Sequence, residues 1–130
     1  MNKLKTKEIG DIGEEYAVNY LKKHRYKILS RNYRKRFGEI DIIAEKKGTV
    51  AFVEVKTRHQ NPLTQPFEAV DTNKQKKIYK TSLSYIYENN LNSQYRFDVC
   101  EVFVDRDTLK LIQINYYENA FIPESDNGYY

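Results

Sequence analysis

An α/β domain, with helices packed on a mixed sheet, is the fold class that this sequence predicts. Three observations carry the prediction. Two stretches place apolar residues at helical spacing, five short stretches rich in Val, Ile, Phe and Tyr read as strands, and the order is helix, three strands, helix, two strands. A helix set between strands is how layered α/β domains are built. The 130 residues suit one domain with a single core, and a 40% hydrophobic content can supply that core.

The first helix runs from about Leu4 to His24. Ile9, Ile12, Gly13, Tyr16, Ala17, Tyr20 and Leu21 recur at three- and four-residue steps and form one apolar stripe. Gly10 and Gly13 are poor helix formers, and their predicted use is to let a neighbouring backbone or ligand come close. Tyr26–Tyr33 is the first strand. A basic cluster, Arg31, Arg34, Lys35 and Arg36, precedes Gly38. Two strands follow, Gly38–Glu45 and Thr49–Thr57. Gly48 between them can take the positive φ of a tight hairpin. His59–Asp71 holds Pro62 and Pro66 and reads as a loop, which at this length is often functional. Asp71 or Thr72 caps a second helix to about Asn89, with Ile78, Tyr79, Leu83 and Ile86 as its buried face. Lys74, Lys76, Lys77 and Lys80 crowd its first turns, where cations oppose the helix dipole and need another reason to be there. Arg96–Val104 and Thr108–Asn115 are the last strands. The apolar parity changes between Phe97/Val99 and Val102/Val104, which predicts either a bulge or a strand covered on both faces. Arg96 and Asp98 share a face and can pair. The domain is read as residues 1–115, with a tail over 116–130.

Composition narrows the function. The basic N-terminus leads into no apolar run, so neither a secretory signal nor a spanning helix is expected. Cys100 is the only cysteine, which excludes an internal disulfide and cysteine-based zinc sites and suggests a reducing, cytoplasmic setting. Two histidines, His24 and His59, cannot close a four-ligand cage. Residues 1–80 hold 19 Lys/Arg against 10 Asp/Glu, a balance of +9, and residues 81–130 hold 3 against 8, a balance of −5. Such asymmetry suits a polyanionic partner, or simple solubility.

The chemistry concentrates in the hairpin. With Lys47 and Gly48 as loop residues, Asp41 falls opposite Glu54 and Glu39 opposite Lys56. Alternation then puts all four on one face, unless the register slips by one. Facing carboxylates in apolar strands are destabilising without a positive charge between them. A hard divalent cation relieves that cost, keeping positions open for water and phosphate, while Lys56 holds a water or phosphate oxygen nearby. The plainer reading is a solvated face with Lys56 paired to Glu54 or Glu39. Glu14, at the edge of the first helix's stripe, can approach the same place or stay a surface residue.

Several motifs stand in order along the chain: Gly10-x-x-Gly13-Glu14, Arg31-Asn32-Tyr33-Arg34, Gly38-Glu39-Ile40-Asp41-Ile42-Ile43-Ala44, Phe52-Val53-Glu54-Val55-Lys56-Thr57-Arg58, Glu68-Ala69-Val70 with Lys74, and Arg96-Phe97-Asp98-Val99. Together, over about residues 8–115, they resemble the YraN-type family of small bacterial proteins. That family in turn resembles the PD-(D/E)xK nuclease superfamily, including Holliday junction resolvases and restriction endonucleases. The resemblance implies a restriction-endonuclease-like fold, a mixed central β-sheet flanked by helices in the order αβββαββ. It also implies a metal site at Asp41 and Glu54 for Mg²⁺ or Mn²⁺, catalytic positions at Asp41, Glu54 and Lys56, and Glu14 as a helix carboxylate. The superfamily's usual proline before the aspartate is Ile40 here.

The function expected from this is a metal-dependent endonuclease on structured or branched DNA, with a homodimer as a candidate assembly. Arg34, Arg36, Arg58, Lys74 and Lys77 are candidates for phosphate contacts, with Tyr33 and Phe37 beside the first two. Each also reads as an ordinary surface charge. The alternatives are a non-catalytic nucleic-acid-binding module that keeps the fold, and an adaptor whose basic face meets an acidic protein.

Overall fold

A computed structural model describes residues 6–59 and 70–123. Helix α1 (Thr6–Lys23) precedes strands β1 (Lys27–Lys35), β2 (Gly38–Lys46) and β3 (Thr49–Arg58); helix α2 (Thr72–Glu88) then leads to β4 (Gln94–Val104) and β5 (Leu111–Phe121). The five strands lie in sequence order across one sheet. Only β3 and β4 run parallel, so the sheet is mixed. A parallel step needs a crossover, and α2 supplies it. This is the restriction-endonuclease-like order αβββαββ that the sequence predicts. No helix among the described residues is long and apolar enough to cross a membrane.

The two helices cover opposite faces. Ala17, Val18 and Leu21 of α1 pack on Ile42, Ala44, Val53, Cys100 and Val102, whereas Ile78 and Tyr85 of α2 pack on Ile43, Phe52, Phe97 and Val99. The parity change in β4 is therefore not a bulge within that strand. Its odd residues up to Val99 face α2, its even residues face α1, and Phe97 through Val104 are all buried. Helix α1 lies very close to β3 at Gly13, where an added Cβ would stand 1.7 Å from Thr57 Oγ1. Gly10 has open space around it and meets no such demand.

Two expectations are corrected. Leu83 is 42% exposed, and Thr81 and Ser82 are buried in its place. Their hydroxyls donate to the Lys77 and Tyr79 carbonyls within the helix, so small polar residues pack without an unmet hydrogen bond. That lets α2 approach Gly38, where a Cβ would meet Thr81 Oγ1 at 2.8 Å. The last strand begins later and runs further than read. Asp105 accepts from the Asp107 and Thr108 N–H groups, holding that stretch as a turn, and Tyr116 to Phe121 continue β5 beside β4. Most of the loop read at His59–Asp71, with Glu68 and Ala69 of one motif, lies outside the described residues. Asp71 caps α2 by accepting the Lys74 N–H at 2.9 Å.

Candidate active site

Lys47 and Gly48 make the whole β2–β3 turn, with φ of 51° and 78°, as two-residue hairpins favour. From that turn the strands keep the predicted register, Lys46 opposite Thr49 through Ile42 opposite Val53. The carboxylate pair would come next, and there the ladder ends. Asp41 turns its side chain into the opening, and its Oδ2 accepts the Val55 N–H at 2.8 Å.

Two local irregularities make the opening. The alternation of β2 breaks across Asp41: Ile40 and Ile43 pack in the α2 layer, Ile42 in the α1 layer. On the other side, Asn32 sits between the pairs Arg31–Ile42 and Tyr33–Ile40 with a left-handed φ of 52°, which asparagine tolerates better than most residues. The expectation of one shared face is corrected accordingly. Val53 and Val55 pack toward α1, so Glu54 and Lys56 fall with Phe52 toward α2. Asp41 lies between the strands, and Glu39 sits at the rim, its carboxylate 2.6 Å from Arg34 Nε.

Charge nonetheless converges on Asp41. Burial pushes its carboxyl up to about 8, and the charges of Glu54, Glu14 and Glu39 push in the same direction against the Val55 hydrogen bond. Glu14, half-buried on α1, is also raised, first by burial and then by Asp11 and Glu39, while a hydrogen bond with Asn32 opposes the rise. Asn32 thus ties β1 to the helix carboxylate, a role that sequence reasoning missed; an asparagine inside a strand is the only local signal for it.

A pH dependence follows. Between about pH 4 and pH 8 the folded Asp41 holds a proton that the unfolded chain releases. Stability in EDTA therefore falls as pH rises through that window, and it is fully present only below it. Each pH unit of difference is worth at most about 1.4 kcal/mol for one proton, so a decline on the order of 1 kcal/mol or more is expected across the window. Urea unfolding at pH 5, 6.5 and 8 should show this slope in the wild type and its loss in Asp41→Asn. Parallel profiles for the two proteins would rule it out.

Lys74 reaches the pair from α2. Its Nζ lies 2.6 Å from Glu54 Oε1, with Glu54 only 7% exposed. Burial works against the Lys74 charge, but Glu54, Asp41 and Asp71 outweigh it and hold its pKa above the usual value. Its place in the first turn thus has the reason that the dipole could not supply. Arg58 also turns inward, with its Nε 3.0 Å from Glu101 Oε2, both side chains largely shielded from solvent. Arg36 and Lys77 line the surface beyond the β1–β2 turn.

The donor set suits a hard cation. Asp41 and Glu54 offer carboxylate oxygens, while Cys100 is buried, its thiol pushed up to about 12 by that burial and by Glu101 and Asp98. Among the described residues no three His, Cys, Asp or Glu side chains converge as a ready-made cage. Mg²⁺ does not need one, since it is commonly held by one or two carboxylates with water completing its shell.

A family described as "Uncharacterised protein family UPF0102" matches residues 13–102. A UPF0102 protein of Caldanaerobacter subterraneus subsp. tengcongensis is 44% identical over 122 residues, 93% of this chain and 100% of that protein. Others, from Alkaliphilus oremlandii and Clostridioides difficile, are 48% and 46% identical over 88% and 91% of this chain and 98% and 100% of their own lengths.

Proposed function

The chain belongs to the UPF0102 family, the YraN-type family its motifs resemble, and we propose that it is a metal-dependent endonuclease hydrolysing phosphodiester bonds in structured or branched DNA. One observation supports this reading above the others: a buried aspartate aimed into the mouth of a hairpin, under the charges of Glu54 and Glu14, with Lys56 two residues past Glu54 on the same strand. Repulsion of that kind is relieved when a cation is bound, and active sites commonly hold it.

Asp41 and Glu54 would hold Mg²⁺ or Mn²⁺. When bound, the ion supplies a more acidic water and charge neutralisation at the phosphate. Everything else falls to the chain. Lys56 donates from its ammonium to a phosphate oxygen or to the attacking water and fixes its direction. Glu14, raised toward neutrality and tied to Asn32, accepts from a water at the rim. The water oxygen attacks phosphorus and releases its proton to the surrounding water, the bond to the leaving deoxyribose oxygen breaks, and that oxygen takes up a proton from solvent.

Lys74 favours a second reading, since its ammonium already sits on Glu54. In that reading the chain is a nucleic-acid-binding module that keeps the fold without cutting. It predicts salt-sensitive affinity with no metal dependence. The deciding experiment incubates the purified chain with branched, nicked, single-stranded and duplex DNA in Mg²⁺ or Mn²⁺, beside calorimetric titration of Mn²⁺ into wild type and Asp41→Asn. Cleavage of at least one substrate, with Mn²⁺ heat seen only in the wild type, is expected. DNA binding with neither cleavage nor heat would leave the second reading standing.

A further inference from the structure

The β1–β2 turn is built against habit. Its two residues are Arg36 and Phe37, where two-residue turns favour Asn, Asp or Gly. Phe37 is 41% exposed there, although a phenyl ring gains most when buried. Beside it a cleft of about 480 Å³ is lined by Arg36, Phe37, Asn73, Lys76, Lys77 and Lys80. A second cleft, of about 450 Å³, shares Asn73 and Lys77 with the first and continues past Gly38 to Lys74. Lys74 in turn touches Glu54. The two clefts form one groove leading from an exposed aromatic ring to the acidic cluster.

The charge of this groove is one-sided in effect. Arg36, Lys76 and Lys77 make no ion pair among the described residues. The carboxylates in its second half are already engaged, Glu39 with Arg34 and Asp71 with the Lys74 N–H. On α2, Lys76 and Lys80 are four residues apart and Lys77 and Lys80 three apart, so the three share a side of the helix.

We propose that this groove binds an unpaired stretch of nucleic acid, with Phe37 stacking on a base and Arg36, Lys76 and Lys77 holding the adjoining phosphates. An exposed ring flanked by cations suits a strand whose base faces are free, because a duplex offers its edges and backbone but no face to stack on. An acidic peptide would use the cations and leave the ring idle. Joined to the nuclease reading, on which this last step rests, the groove makes the substrate a DNA in which the cut phosphate adjoins an unpaired segment, such as a flap or an open branch.

The test uses the full chain in EDTA, with fluorescence anisotropy of labelled dT12 and of a 20-base-pair duplex as probes. The wild type should bind dT12 more tightly than the duplex. Phe37→Ala should weaken dT12 by about tenfold, the size of one base–aromatic stack, while duplex affinity stays within about twofold and Phe37→Trp restores dT12 binding. Lys77→Ala should weaken both probes and flatten their salt dependence. Equal losses on both probes for Phe37→Ala, no loss on either, or competition by polyglutamate as effective as by unlabelled dT12 would overturn the proposal. The nuclease reading fails separately: binding of this pattern with no cleavage of a flap in Mn²⁺ supports the groove alone. Flap cleavage at an unchanged kcat/KM in Phe37→Ala overturns the groove and leaves the nuclease standing.

Discussion

Glu54→Ala is expected to lower DNA cleavage in Mg²⁺ or Mn²⁺ by about a thousandfold or more, the scale on which loss of one transition-state charge contact is felt. Among the described residues Glu54 is one of two buried carboxylates at the hairpin mouth, so its removal would halve the proposed anionic ligand set. It also frees the Lys74 ammonium, now 2.6 Å away, to settle on Asp41 and compete for the same space. The fold should survive. Glu54 repels Asp41 but also holds Lys74 at 2.6 Å, so the two losses oppose each other and the metal-free variant should melt within a few degrees of the wild type. This separates lost chemistry from lost structure. Glu54→Asp should cut slowly and need more Mn²⁺, because the shorter side chain keeps the charge and misplaces it. Gel assays at several Mn²⁺ concentrations, with melting curves alongside, provide the check. Cleavage by Glu54→Ala at the wild-type rate would place the activity elsewhere or in a contaminant.

Much of this arrangement is legible in the sequence because it depends on local rules. Lys47-Gly48 sets a two-residue turn, the turn sets the register, and the register brings residues 41 and 54 to the same level. What alternation cannot show is where it stops. Ile40, Asp41 and Ile42 read as an unbroken strand, yet the pleat breaks at Asp41 because β1 carries Asn32 in a left-handed conformation beside it. Long-range pairing is equally hidden. Arg58 reads as a phosphate ligand just past the predicted strand Thr49–Thr57, but parallel pairing sets Lys56 level with Glu101, and the longer Arg58 side chain reaches back to that carboxylate. Lys74 reads as one of four helix lysines, and only the crossover of α2 shows which of them meets Glu54. The strand β5 is misjudged because Asn115, Glu118 and Asn119 interrupt its apolar pattern, as the exposed side of an edge strand permits.

Asp98→Ala is expected to be the most destabilising single change in the domain, and it touches none of the proposed catalytic groups. Asp98 is fully buried. Arg96 Nε donates to both of its oxygens at 3.0 and 3.1 Å, the Tyr116 hydroxyl to Oδ2 at 2.5 Å, and the Asn119 N–H to Oδ1 at 2.8 Å. Arg96 also donates to the Tyr26 hydroxyl, so the network joins the residue just before β1 to β4 and β5. Burial and the Asp98 charge hold the Tyr116 phenol protonated far above its ordinary range. Truncation takes the acceptor from Arg96 Nε, the Tyr116 hydroxyl and the Asn119 N–H and leaves Arg96 only Tyr26 and the exposed Glu118, a loss of about 3–5 kcal/mol for a broken buried pair. For a chain of this length that corresponds to a fall in Tm of roughly 10–20 °C. The double variant Arg96→Met with Asp98→Leu should recover part of it, since apolar groups ask for no partner. Melting by circular dichroism decides: a fall under about 3 °C for Asp98→Ala would mean that water replaces the carboxylate cheaply. The expected large fall would make the Arg96-Phe97-Asp98-Val99 motif an architectural one. It ties β4 to β5 and to Tyr26 at the level where Val53 of β3 pairs with Asp98, one residue before Glu54.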